Sequence, residues 1–102
     1  MDLQNVRDLI AERKIMWQAH CVSRMQERDI SRADVFNAIE TGEIIEDYPD
    51  DFPHPSCLIM GTACDGQTIH IVLGSDDEKI YMITAYIPNT VIFHEDLKTR
   101  RK

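Results

Sequence analysis

The runs Cys57–Ala63, Thr68–Gly74 and Lys79–Ile87 are rich in apolar and β-branched residues. Only Cys64-Asp65-Gly66-Gln67 and Ser75-Asp76-Asp77-Glu78 separate them. Loops this short join antiparallel neighbours, because a parallel connection needs a crossover of about a dozen residues. A meander is therefore the element around which the rest of the chain must pack. Ahead of it, P-D-D-F-P-H-P (49–55) breaks all regular structure, and Glu43–Tyr48 reads as a further strand.

The first half has helical periodicity. Leu3, Val6, Leu9 and Ile10 form an apolar stripe over residues 2–13, and Ala19, Val22 and Met25 form another over 18–28, with Lys14–Trp17 a short extended link or strand between them. Ser31 suits an N-cap, with Asp34 completing a shortened capping box. Val35, Phe36 and Ile39 are the buried stripe of that third helix, and Gly42 stands at its end. Helices followed by an antiparallel sheet predict an α+β fold: N-terminal helices packed on a curved antiparallel sheet of about four strands, in one domain spanning 1–102.

Strand parity sorts the faces. Ile69, Ile71 and Leu73 point one way, and Thr68, His70 and Val72 the other. In the last strand, Tyr81, Ile83, Ala85 and Ile87 share a face opposite Ile80, Met82, Thr84 and Tyr86. Matching apolar faces sets Ile71 opposite Ile83 and His70 opposite Thr84, leaving a mixed surface of Thr68, His70, Thr84 and Tyr86.

Composition narrows the function. At 43% hydrophobic and 28% charged the chain is an ordinary globular one. No apolar run approaches the roughly 20 residues that span a bilayer, and the polar amphipathic N-terminus lacks the features of a signal peptide. A cytoplasmic protein without membrane association is expected. Cys21, Cys57 and Cys64 form no C-x-x-C and the histidines are scattered, so neither a disulfide framework nor a metal site is expected. No Walker loop, G-x-G-x-x-G, G-x-S-x-G or H-E-x-x-H is present, and no cofactor is expected.

The net charge of −7 opposes a broad phosphate-binding surface but allows a local basic cleft. His20, Arg24 and Arg28 recur every four residues and so share a helix face. Such a stripe suits an anionic substrate, with histidine titrating near neutrality and the guanidiniums gripping phosphate or carboxylate. It equally suits a solvated helix face, with the arginines paired to Glu27, Asp34 or the acids of 46–51. His70 in mid-strand is either held structurally by Thr84 or Tyr86 or is a general acid or base. Tyr86 is a strand former or a base-stacking residue. The run Lys98-Thr99-Arg100-Arg101-Lys102 is a solvated tail or a nonspecific nucleic-acid contact.

Taken together, these pieces resemble the domain of unknown function 4258 family, whose members look like RelE-, BrnT- and MqsR-type bacterial toxins. The family's H-small-x-x-R-M-x-x-R-x-I is met by His20, Cys21, Arg24, Met25, Arg28 and Ile30, with Cys21 a departure at the small position. A helix ending before glycine and "I-I" follows (Ile39, Gly42, Ile44, Ile45), then Tyr48-Pro49. His70-Ile71-Val72 and I-T-x-Y-x-P (Ile83, Thr84, Tyr86, Pro88) close the pattern. Phe93 stands where relatives carry tryptophan.

The resemblance covers roughly residues 14–97. It implies a RelE-like toxin fold and a metal-independent endoribonuclease toxin of a type II toxin–antitoxin pair. On that reading His20 and His70 are acid and base, Arg24 and Arg28 stabilise the phosphorane, Tyr86 positions a base and Thr84 binds substrate. RNA is the substrate, a small zinc-finger antitoxin is the partner, and a homodimer is left open. The alternative is a noncatalytic binding module for an anionic ligand or a partner protein.

Overall fold

The computed structural model describes residues 1–101. Its elements run α1 (Leu3–Ala11), β1 (Ile15–Trp17), α2 (Ala19–Glu27), α3 (Arg32–Thr41), β2 (Glu43–Tyr48), β3 (Ser56–Thr62), β4 (Thr68–Ser75) and β5 (Ile80–Tyr86). The strands form one sheet ordered β1-β5-β4-β3-β2. The antiparallel meander forms as its turns require. The link after α1 adds a fifth strand at the edge, and β1 runs parallel to β5. The crossover that parallel pairing needs is supplied by most of the chain, from α2 to β4.

The helix ends follow local chemistry. Asp2 caps α1 by accepting from Gln4 N at 2.9 Å. The helix stops where Arg13 turns left-handed (φ 61), two residues short of the expected end. Ser31 and Asp34 form the reciprocal capping box of α3, at 2.9 and 3.0 Å. Asp34 also accepts from Cys64 N at 3.0 Å, tying α3 to the β3–β4 turn.

Gly42 is extended (φ −99, ψ −170), not left-handed as a helix-ending glycine usually is. What it supplies is space. A side chain there would collide with the Ala38 and Met60 carbonyl oxygens, where α3 crosses β3.

The helices cover one face of the sheet. Val6, Leu9, Cys21, Met25, Val35, Ala38 and Ile39 meet Cys57, Ile59, Ile69, Ile71, Leu73, Ile80, Met82 and Ala85. In β5 the buried positions are thus 80, 82 and 85, a break in strict alternation. The register explains it: Leu73 pairs with Met82 and Val72 with Thr84, so Ile83 is an extra residue in a bulge. This corrects two expectations. Ile71 faces Ala85 rather than Ile83, and His70 faces Tyr86 rather than Thr84. Tyr81 and the pair Ile80 and Met82 also exchange faces relative to simple parity, whereas Thr84 and Tyr86 keep the face they share with His70.

The opposite face is not open. The chain after β5 folds back over it, and Phe93 (2% exposed), Leu58 and His70 are buried there. Burying a phenylalanine side chain contributes about 1.5–3 kcal/mol and helps to seat this segment, residues 88–101, as a strap.

Candidate functional site

The cross-strand row Met60–His70–Tyr86 builds the site. Directly paired side chains lie close enough to bond, and His70 Nδ1 stands 3.2 Å from the Tyr86 hydroxyl. The other ring nitrogen, Nε2, is 2.6 Å from the carbonyl oxygen of Leu97 in the strap. A carbonyl only accepts, so Nε2 carries the proton. Nδ1 is then the acceptor and Tyr86 the donor. Phe93 closes the pocket edge-on to the imidazole, with ring centroids 4.7 Å apart at 84°. His70 has no exposed surface.

Burial lowers the His70 pKa below the ordinary 6.5. The Leu97 carbonyl and Glu46 pull it upward, while Arg100 pushes it further down. Burial likewise raises the Tyr86 hydroxyl above 10 and keeps it protonated. The groups facing His70 are Tyr86 on β5, Glu46 on β2, and Arg100, Phe93 and the Leu97 carbonyl in the strap. Because its pKa is lowered in the closed form, His70 disfavours closure once it can protonate. The closed arrangement is complete above pH 6.5 and is lost progressively below it. Glu46, also held below its ordinary value, titrates only at more acidic pH: burial pushes it up, but hydrogen bonds from Arg100 and Tyr48 outweigh that. Amide hydrogen exchange across residues 93–100 should therefore quicken as pH drops below 6.5, after correction for intrinsic rates. Protection that stays constant through that range would contradict this.

Two ion pairs tie the strap to β2. Lys98 Nζ meets Glu43 Oε1 at 2.8 Å, and Arg100 Nε meets Glu46 Oε2 at 2.7 Å. Arg100 also lies over the Phe93 ring, 5.0 Å from its centroid. Internally, His94 N donates to Thr99 O at 2.8 Å, and Arg101 Nε donates to the carbonyls of Thr90 at 2.6 Å and Phe93 at 3.1 Å. The expected basic tail is thus a folded cover as far as Arg101; Lys102 lies outside the described residues.

Arg28, Thr84, Tyr86 and His70 are brought together on neighbouring elements. β1 pairs only with Ile80–Met82, so the rest of β5 has no partner strand on that side. At the end of α2, Arg28 fills the gap, donating to Ala85 O at 2.8 Å and Thr84 Oγ1 at 3.3 Å. Arg28→Met keeps the stem but leaves that carbonyl without its donor, and should cost about 1 kcal/mol of stability, since water can partly replace the bond. The urea midpoint reads this, and an unchanged midpoint would contradict it.

His20 and Arg24 stand apart from this group. Both are exposed on α2. Arg24 pairs with Glu27 at 3.1 Å, three residues on, one of the pairings open to a solvated face. His20 makes no hydrogen bond among the described residues. Two of the three cysteines, Cys21 and Cys57, are buried and Cys64 is exposed; burial pushes the Cys57 thiol up to about 12. Among the described residues no three His, Cys, Asp or Glu side chains gather to hold a metal ion, and no helix is long and apolar enough to cross a membrane.

Sequence reasoning missed Glu46, Phe93, Leu97 and Arg100 as neighbours of His70. The available signal was the apolar Val91-Ile92-Phe93 set close to a basic run, complementary to the acidic β2.

The family model described as "Domain of unknown function (DUF4258)" matches residues 17–87, from Trp17 to the residue after β5. The strap lies beyond the matched region. No curated protein and no solved structure matches the chain.

Proposed function

The chain belongs to the DUF4258 family, and from that premise we propose that it is a toxin-like endoribonuclease whose reacting groups are His70 and Tyr86. One observation carries this reading: a histidine and a tyrosine, hydrogen-bonded at 3.2 Å, lie side by side on one sheet face with Arg28 and Thr84 on the adjoining edge.

Cleavage of RNA without a cofactor needs a base for the 2′-hydroxyl and an acid for the leaving 5′-oxygen. In the uncovered site His70 takes the Nδ1–H form, donating to the Tyr86 oxygen and offering the Nε2 lone pair outward. Nε2 accepts the 2′-hydroxyl proton as the 2′-oxygen bonds to phosphorus. The bond from phosphorus to the 5′-oxygen breaks, and Tyr86 gives its proton to that oxygen. Imidazolium Nδ1–H then returns a proton to the tyrosinate. The products are a 2′,3′-cyclic phosphate and a free 5′-hydroxyl, with Tyr86 restored and His70 left as the Nε2–H tautomer, which proton exchange with water returns to the Nδ1–H form before the next turnover. His20 and Arg24, exposed on α2, serve in this scheme as outer phosphate contacts.

The rival reading is a noncatalytic module for an anionic ligand. It is favoured by one specific fact: both ring nitrogens of His70 are already satisfied and the ring is sealed. In the toxin reading the protein acts in the cytoplasm, with RNA as substrate and a small antitoxin as partner.

The test is incubation of total RNA with the purified protein in excess chelator. Fragments ending in 2′,3′-cyclic phosphate are expected. RNA left intact both by the wild-type protein and by a variant whose His70 has been uncovered would refute the enzyme in favour of the binding module.

A further inference from the structure

The segment over His70 does more than exclude water. It holds the histidine in the wrong tautomer. Because the Leu97 carbonyl binds Nε2–H at 2.6 Å, the outward nitrogen has no lone pair to offer, and Tyr86 spends its proton on Nδ1. Moving this one carbonyl away would free both groups together.

The attachments of the strap are few and mostly weak. Lys98 and Arg100 are about half exposed in their ion pairs, as is Glu43, and exposed pairs contribute little and are screened by salt. Its buried apolar side chains are Phe93 and, at its start, Pro88; Val91 is 82% exposed and Ile92 49%. Leu97 is held left-handed at φ 59, a conformation that branched L-residues avoid and that opening would relax. An element held by two buried apolar side chains, one exposed ion pair, one half-buried ion pair and a strained turn belongs to the low-stability end of a fold.

Its cations also match the substrate. Lys98 and Arg100 bind carboxylates in the closed form, and an RNA chain presents a continuous row of phosphates that compete for the same groups. We propose that residues 88–101 form a substrate-displaced latch: Lys98 and Arg100 exchange Glu43 and Glu46 for RNA phosphates, lifting Leu97 from His70 and exposing the His70–Tyr86 pair. The catalytic consequence rests on the ribonuclease reading; the displacement itself does not.

The test uses the full-length chain carrying Glu43→Ala and Glu46→Ala, which delete both ion pairs and leave Phe93, Lys98 and Arg100 in place. NMR of the imidazole nitrogens reports the tautomer and titration of His70, and RNA cleavage in chelator is measured alongside. In the wild-type protein, His70 should keep its Nε2 proton shielded until a 2′-O-methyl RNA oligonucleotide, which cannot be cleaved, is added. In the double variant His70 should titrate near 6.5 without RNA, and cleavage should rise about tenfold, the change expected from removing a closure preference of about 1.4 kcal/mol.

If His70 stays shielded in the variant, or in the wild-type protein saturated with the oligonucleotide, the latch is overturned. If His70 is freed but cleavage by an active wild type does not change, its regulatory role is overturned. If His70 is freed and neither protein cuts RNA, the latch stands and the ribonuclease reading falls.

Discussion

Gly61→Ala should destabilise this fold more than any other single-methyl change, by about 3 kcal/mol or more. A Cβ at position 61 would stand 2.6 Å from the Ala38 carbonyl carbon and 2.7 Å from its Cα, with the carbonyl oxygen closer still. These are backbone atoms of α3 and cannot swing aside. The helix would have to lift from β3, withdrawing Val35 and Ile39, each 1% exposed, from the core. For a domain of this size such a loss lowers the melting temperature by roughly 15 °C. Calorimetry or thermal circular dichroism measures it. A variant melting with the wild type would mean that α3 does not cross β3 so closely.

The second large effect is on activity. Tyr86→Phe should lower RNA cleavage about 100-fold or more, because it deletes the proton donor for the leaving oxygen. His70→Asn should do at least as much by removing the base. Tyr86→Phe leaves His70 Nδ1 without its donor in a buried site, so a stability cost of about 1–3 kcal/mol accompanies it. The two effects separate at a temperature well below both melting transitions. There a purely structural tyrosine would leave the rate nearly unchanged, whereas a catalytic one would not. The strap-opened variant is the better background, since every molecule then presents the site.

The sequence was most informative where short-range chemistry decides the outcome. Ser31 and Asp34 announce the α3 N-terminus because a capping box needs only those side chains and the adjacent backbone. The meander was legible because two four-residue loops leave no other connection. Residues 83–86 were harder. The apolar–polar alternation runs through I-T-A-Y without interruption, so nothing local marks Ile83 as the bulged residue; the bulge emerges only when β5 pairs with β4. The parallel pairing of a three-residue β1 with β5 is likewise a long-range event.

The candidate site divides along the same line. The sharing of one face by His70, Thr84 and Tyr86 could be read from parity because the bulge lies before Thr84. The stripe of His20, Arg24 and Arg28 was also legible, but not the different fates of its members. Arg28 turns to the unpaired edge of β5 and Arg24 to Glu27, choices set by what lies beside each end of α2. Least legible was the strap. A basic run reads as a solvated tail until Glu43 and Glu46 are seen opposite it.

The central claim is that His70 and Tyr86 cleave RNA through its 2′-hydroxyl. The most direct measurement treats a short oligoribonucleotide, and its deoxy counterpart of identical sequence, with the strap-opened protein in chelator, and analyses the 3′ ends. The account predicts a 2′,3′-cyclic phosphate from the ribo strand, an intact deoxy strand, and loss of the product when Tyr86→Phe is added. Cleavage of both strands, or of neither, would contradict it.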